Sequence, residues 1–558
     1  MIATRVALLV ALPVLWLSAM SSTLRVEPSQ DSIRRAIATR LRGTPPAPLT
    51  ADTWRHVHRL YDQAGDSSLW LDGTRLQRRA ESLTNALASA YTEALRLDAY
   101  PLAALRTALA PLRDPSPTIT QLADVDVLLT SAYAALGEDR LTGQLNPKSI
   151  SRDWHIDPRE AKIDSLLASA LNAASFDSAL ATLQPPHENY RPLQRELARY
   201  REIVAVGGWM PQPGGGTLKP GDSTTTTRLT ALATRLRAEG FLAEGEPATL
   251  SDGSAPTRGS YDAILAHAVA TYQQRHGLTV DSTFGPTTRA SMDVSAAFRL
   301  QEIAANLERL RWIPRRLGDR YVLVNVPTFS LTAYDGGKLA LTLKVIVGAE
   351  YRNRATPTFS DSMSYVVFRP YWNVPTSIAT NEIWPSARRD ATYLARNNYE
   401  VVRTGGATRI RQKPGPDNSL GLIKFIFPND FSIYMHDTPT RELFDQRVRA
   451  FSHGCIRVEH PEELAEFVLG NQGWGIEQIL EAMQRGRNDQ RVNLVHKLPV
   501  YIVYFTTYVV DGQLYFGPDL YDRDARLVRA VARAAMPTDA DLAGAEALRE
   551  LVAELVQR

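Results

Sequence analysis

Tyr321-Val322-Leu323-Val324-Asn325-Val326, Tyr334-Asp335-Gly336-Gly337 and Leu339-Ala340-Leu341-Thr342-Leu343-Lys344-Val345-Ile346-Val347 mark the point at which the hydrophobic period of this chain changes. Two aliphatic, β-branched runs flank a glycine turn, the pattern of paired strands. Further strands are expected near Ser364 to Phe368, Ile423 to Phe427, Phe431 to Met435 and Leu498 to Val510. Upstream of Arg320 the period is helical. Trp54, Val57, Leu60 and Tyr61 fall at i, i+3, i+6 and i+7, close to one helical face. Ala/Leu-rich runs follow at Leu83 to Leu97 and Leu122 to Leu136, punctuated by Pro101, Pro147, Pro185 and Pro186. Trp70 and Trp154 are expected in the core, where aromatic side chains bury the most area. The fold class is multidomain α+β: a helical scaffold, a small three-helix module and a mostly β domain with a lid insertion.

At 558 residues the chain is too long for one hydrophobic core. The expected divisions are a helical scaffold over 23–206, a Gly/Pro linker over 207–221, a three-helix module over 222–296, a connecting helix over 297–319 and the sheet domain over 320–510. A partly helical tail is expected over 511–558, with Asp524 as a helix N-cap. In the module, helices are predicted over Thr227 to Glu239, Tyr261 to His276 and Thr287 to Ala296. Downstream, Pro461 to Leu469 and Gly475 to Arg485 also read as helices. Inside the sheet domain, residues 372–404 are polar and partly helical, bounded by Gly405-Gly406. An insertion of this kind is a candidate active-site lid.

Composition narrows the function classes. The formal charge of +3, from 63 basic and 60 acidic residues, offers no polyanion-binding surface, so no nucleic acid is expected. The basic run Arg309, Arg311, Arg315 and Arg316 is expected to be a solvated helix end. At the N-terminus, Arg5 precedes the apolar run Val6 to Leu17, and small residues follow through Ser22. That pattern predicts an export signal over 1–22. The run falls short of the ~20 residues that span a bilayer. A membrane anchor stays open if Ala3 through Met20 all enter the lipid.

Cys455, in Ser452-His453-Gly454-Cys455-Ile456-Arg457-Val458, is the only cysteine in the chain. It can form no intramolecular disulfide and cannot supply several thiolates to zinc. His436, His453, Cys455 and His460 likewise lack the ligand pattern of a metal site, and no cofactor is expected. In an exported protein a lone thiol risks oxidation, so its retention suggests use as a nucleophile. His436 and His453 are both candidates for the base that takes its proton. Arg457 is a fixed cation able to lower the thiol pKa or hold a carboxylate. Asp437 reads as a turn former ahead of Thr438-Pro439.

Two resemblances sharpen these expectations. Ala268 to Leu278, with Gln273-Gln274-Arg275-His276-Gly277, followed by Val280-Asp281-Ser282-Thr283-Phe284-Gly285-Pro286, resembles the helical peptidoglycan-binding module of cell-wall enzymes. His436, then Ser452-His453-Gly454-Cys455 and Arg457, resembles the signature of L,D-transpeptidases with a YkuD-type catalytic domain. Tyr371-Trp372-Asn373-Val374-Pro375, Arg411 to Gly421 and Ile433 to Pro439 sharpen the likeness to large multi-domain periplasmic members.

This resemblance implies that Cys455 attacks the carbonyl between the third residue and the terminal D-Ala of a tetrapeptide stem. It implies His436 as base and later acid, and backbone N–H groups around Gly454 and Cys455 as the oxyanion hole, with Tyr434 a hydroxyl donor. His453, Arg457 and Ser452 would shape the substrate pocket, and Trp372 would belong to the substrate-covering lid. A second stem's amine would resolve the thioester as a 3→3 cross-link. Partners would then be donor and acceptor stems and cell-wall synthesis proteins, the location the periplasm or cell envelope, and carbapenems would acylate Cys455. A hydrolytic L,D-carboxypeptidase or endopeptidase, an enzyme attaching protein to the wall, and a non-catalytic wall-binding protein stay open as alternatives.

Overall fold

The computed structural model describes residues 29–156, 162–243, 258–350, 354–404 and 407–558. The signal-like run through Ser22 and the Gly405-Gly406 pair lie outside these residues. Among the described residues no helix is long and apolar enough to cross a membrane.

The helical body is organised by Ile119–Thr142, which starts at a capping box made by Thr118 and Gln121. Its buried residues run around the whole helix, so other helices must cover every side. The face Trp54, Val57, Leu60 and Tyr61 packs into this core. Asp126, at the centre of the long helix, accepts bonds from Tyr61 Oη at 2.6 Å and from the backbone N–H groups of Leu69 at 3.0 Å and Trp70 at 2.9 Å. A buried carboxylate satisfied in this way ties the loop before Leu71 to the helix.

Residues 511–558 are built into the molecule on both sides instead of trailing from it. The final helix, Asp539–Gln557, inserts Leu548, Val552 and Leu555 into the scaffold core. The preceding helix, Asp524–Ala535, packs on Ala296–Arg311. It begins one residue earlier than expected: Arg523 holds the N-cap position, and the Asp524 carboxylate is engaged by Thr506 Oγ1 at 2.6 Å and by Arg309.

The basic run departs furthest from its sequence reading. Arg309 and Arg311 are 3% and 1% exposed. Arg311 pairs with Glu308 at 2.6 Å and also reaches Tyr190 Oη and the Glu93 carbonyl. Arg315 donates to the carbonyls of Leu183 and Gln184. Buried guanidinium groups persist only when paired. These residues join the scaffold to the C-terminal half, an arrangement that local charge patterning cannot reveal.

The small module contains Thr226–Ala238, Ala263–Arg275 and Pro286–Met292 around buried Tyr261, Tyr272 and Phe284. It docks on the sheet domain, where Arg447 donates to the Gly277 carbonyl at 2.5 Å and His276 stacks on Phe516.

The strands of the sheet domain are β1 (Arg320–Asn325), β2 (Ser330–Asp335), β3 (Lys338–Gly348), β4 (Phe359–Phe368), β5 (Trp372–Asn373), β6 (Tyr399–Thr404), β7 (Ala407–Gln412), β8 (Ile423–Ile426), β9 (Met435–His436), β10 (Ala450–Ser452), β11 (Ile456–Val458) and β12 (Gln490–Val503). The main sheet runs β10-β3-β11-β9-β8-β4-β12-β1-β2, and β2 pairs back onto β3, so the sheet closes on itself. Closure protects the sheet's edges, with β10 paired to β3 on one side. Alternation sends Ile423, Phe425, Met435, Ile456 and Val458 to the fully buried interior. Their neighbours along each strand therefore face outward.

Two predicted strands differ. Phe431 to Tyr434 is a loop, because Asn429 Oδ1 accepts from the N–H groups of Phe431 and Ile433, both at 3.1 Å, and Ser432 takes a positive φ. An Asx side chain here competes with the ladder for the backbone donors. The run ending at Val510 is interrupted after Val503 and resumes as a hairpin, Thr507–Val510 with Gln513–Phe516.

The insertion expected as a lid is a small body of its own. β6 pairs with β7 and β7 with β5, and Ile378, Ile383 and Ile410 form a cluster with Trp372, Trp384 and Tyr399. It extends past residue 404 to Gln412.

Candidate active site

The site grows from one parallel pairing. β9 and β11 run in the same direction, with Met435 beside Ile456 and His436 beside Arg457. The Ile456 N–H donates to the Tyr434 carbonyl at 3.0 Å, which extends the register to Tyr434 beside Cys455. Met435 and Ile456 point into the core, so Tyr434, His436, Cys455 and Arg457 share the outer face. Residues nineteen positions apart in the chain thereby become neighbours on adjacent strands.

Cys455 is half-buried, and its thiol lies 3.9 Å from the Ser432 carbonyl. Burial pushes the thiol up to about 11, against the opposing influence of the Tyr434 N–H, Arg457 and the Tyr434 hydroxyl. His436 is 5% exposed. Burial, then Arg457 and Lys424, push its imidazole down to about 3, although its bond to the Asp437 carbonyl opposes this. The Asp437 carbonyl accepts from His436 Nδ1 at 2.6 Å. With its proton on Nδ1, Nε2 carries the lone pair and can act as a base. The resting pair is neutral thiol and neutral imidazole, so the proton must move as the sulfur attacks.

The Asp437 carboxylate plays no part in orienting that imidazole. It accepts from Leu422 N–H at 2.8 Å, Thr438 N–H at 2.7 Å and Arg441 at 2.7 Å, which fixes the loop leaving β9. Gly421 makes room for it. At φ +60°, a Cβ there would lie 2.3 Å from the carboxylate carbon. Gly421→Ala is expected to cost about 2 kcal/mol or more through strain and displaced hydrogen bonds. Urea titration of the variant should show that loss; unchanged stability would refute this role for the glycine.

The Ser452-Cys455 turn is held from inside. Buried Ser452 Oγ donates to the Cys455 carbonyl and accepts from the Gly454 N–H at 3.1 Å. Ser452 is thus occupied in shaping the turn. Gly454, at φ +115°, has a backbone that side-chain-bearing residues rarely adopt. Its carbonyl accepts from Thr356 Oγ1 at 2.9 Å. Thr356 in turn touches the C-terminal segment, through its N–H to Tyr521 Oη at 3.3 Å and its carbonyl to Arg523 at 3.1 Å.

His453 points away from Cys455 toward the lid. Its Nε2 lies 2.9 Å from Glu382 Oε1, which Arg354 also meets at 2.6 Å. Burial pushes the Glu382 carboxyl up, but His453 and Arg354 outweigh it and hold it below its ordinary value. The clasp is therefore present at neutral pH and lost as the pH falls through that depressed value. Glu382→Ala should speed limited proteolysis of residues 376–398 and raise KM several-fold, with the circular dichroism unchanged. Equal proteolysis rates would rule the clasp out.

Trp372 packs in the apolar cluster of the lid, its ring 6.3 Å from Tyr399. Arg457 donates to Thr440 Oγ1 at 3.1 Å, and its buried Nε has no partner among the described residues. Glu382, Arg354, Thr356 and Lys424 escape sequence reasoning. Lys424 alone leaves a trace, as the one charged residue in Ile423-Lys424-Phe425-Ile426-Phe427.

Comparison with known proteins places names on these bodies. Residues 319–502 match the family model for the "L,D-transpeptidase catalytic domain", residues 55–197 that for a "Scaffold domain", and residues 226–292 that for a "Putative peptidoglycan binding domain". A curated protein of Haemophilus influenzae (strain ATCC 51907 / DSM 11121 / KW20 / Rd), named "Putative L,D-transpeptidase", is 32% identical over 244 residues, or 41% of this chain. The match spans about half, 49%, of that relative's length. The crystal structure of an L,D-transpeptidase (residues 123–326) from Xylanimonas cellulosilytica DSM 15894 aligns over 52% of this chain and 99% of its own. At 15% identity and a TM-score of 0.17, that likeness carries no argument.

Proposed function

We propose that this chain, which carries an L,D-transpeptidase catalytic domain over residues 319–502, forms 3→3 cross-links between peptidoglycan stems in the cell envelope. The observation that supports this most is the register of β9 on β11, which sets a buried, Nδ1-protonated His436 diagonally beside Cys455.

In this reading the Cys455 sulfur attacks the carbonyl that joins the third residue to the terminal D-Ala. His436 Nε2 takes the thiol proton and gives it to the departing amine. The Gly454 N–H is already held by Ser452 Oγ, so the oxyanion falls to the Cys455 N–H and the Tyr434 hydroxyl. An acceptor amine then attacks the thioester and loses its proton to His436, while the lid keeps water from the acyl-enzyme. The helical module, matched over residues 226–292, holds the enzyme near its polymer.

The test is mass spectrometry of tetrapeptide muropeptides incubated with the enzyme. Cross-linked dimers with release of D-Ala support transpeptidation. Tripeptides without dimers, even with excess acceptor, would turn the reading to a hydrolase. Unchanged substrate would overturn both.

A further inference from the structure

The outer face around His436 carries a second cation that sequence reasoning does not single out. Lys424 on β8 stands directly opposite His436 on β9, while Arg457 on β11 stands beside His436 on the other flank. Side chains directly opposite in an antiparallel pair share a face, with Cβ atoms about 5 Å apart. Lys424, His436 and Arg457 therefore form one row across three adjacent strands, with Cys455 two residues along β11's own chain from Arg457.

Both flanking cations are poorly compensated. Lys424 is half-buried, and among the described residues its ammonium makes no hydrogen bond or ion pair, its backbone alone being engaged in the sheet. Burial lowers its pKa, and the one carboxylate opposing this, Asp489, stands beyond ion-pair distance. No carboxylate among the described residues pairs with Arg457 either, and its Nε is buried without an acceptor. Two partly desolvated cations on either side of an imidazole are costly unless an anion joins them. Among the described residues no carboxylate pairs with either cation, so an anion between them fits a ligand.

The donor stem of the proposed reaction brings one to the required place. Its terminal residue carries an α-carboxylate two bonds from the amide nitrogen that must leave, and His436 must protonate that nitrogen. We propose that Lys424 is a specificity-determining residue that receives the terminal α-carboxylate of the donor stem, together with Arg457. This inference rests on the function proposed above. It assigns to Lys424 the choice of a stem with a free C-terminus, and the alignment of the leaving amine with His436.

The test compares release of the terminal residue from tetrapeptide stems with a free or an amidated C-terminus, in the wild type, Lys424→Met and Lys424→Arg. A charge-assisted contact of this kind is worth about tenfold in kcat/KM. The wild type should lose about tenfold or more on amidation. Lys424→Met should lose about as much on the free stem and respond little to amidation, and Lys424→Arg should restore most of the discrimination. The alkylation rate of Cys455 by iodoacetamide checks that the variants keep an intact site. Equal amidation factors in wild type and Lys424→Met would overturn the proposal, with the proposed function left standing. Discrimination at a third-residue side-chain amide alone would overturn the assignment to the terminal carboxylate. A wild type that releases nothing from either stem would overturn both readings.

Discussion

Cys455→Ser is expected to lose about three orders of magnitude or more in acyl transfer, with the fold intact. The serine oxygen fits the same space, so the Ser452 and Thr356 bonds that hold the turn need not change. The loss is chemical. A hydroxyl is far harder to ionise than a thiol, and the one base beside it is an imidazole already pushed down to about 3. Such a weak base suits a polarisable sulfur and is poorly matched to an alkoxide. Two measurements check this: D-Ala release from tetrapeptide stems, and intact mass after carbapenem treatment. The wild type should gain the mass of one carbapenem and Cys455→Ser none. A wild type of unchanged mass would count against a reactive Cys455.

Removal of the base should be nearly as severe. His436→Gln is expected to reduce kcat/KM by about 10²- to 10⁴-fold, the usual contribution of a positioned base. The pH profile separates this role from a structural one. With the imidazole down at about 3 and the thiol up at about 11, the wild-type pair keeps one protonation state between pH 5 and 9. Its acylation rate should vary by less than about threefold there. An acid limb centred near pH 6.5 would contradict a buried neutral imidazole. In His436→Gln the thiol must ionise unaided, so alkylation by iodoacetamide should rise about tenfold per pH unit across that range. A flat profile in the variant would show that His436 does not carry the proton.

Much of the site was legible in the chain. A solitary cysteine flanked by His453, Gly454 and Arg457, with His436 upstream, makes Cys455 a candidate nucleophile by residue type alone, because few side chains can perform nucleophilic attack. The chain leaves the choice of base open between two histidines. The fold separates them: His436 lies on the strand beside Cys455 with its Nδ1 on the Asp437 carbonyl, and His453 reaches across to Glu382. The resemblance gave Gly454 a backbone role in an oxyanion hole, and its φ of +115° shows why glycine is favoured there.

Other misreadings have a common cause. Arg309 and Arg311 look like a solvated helix end because local pattern rules see only neighbours in sequence. Their partners Asp524 and Glu93 are more than two hundred positions away. The tail after residue 510 reads only as a partly helical tail for the same reason, and the fold sets its Leu548 and Val552 into the scaffold core. Lys424 reads as an ordinary strand residue until β8 is set against β9.

Hydrophobic period, turn chemistry and the rarity of reactive side chains act over a few residues, so the chain by itself determined the change from helix to sheet, the insertion in the sheet domain and the candidate nucleophile. Strand register, the burial that shifts each titrating group, and the pairing of distant charges depend on closure of the sheet. Only the tertiary structure decided which histidine faces the sulfur, which one holds the lid, and which cations stand on either side of the base.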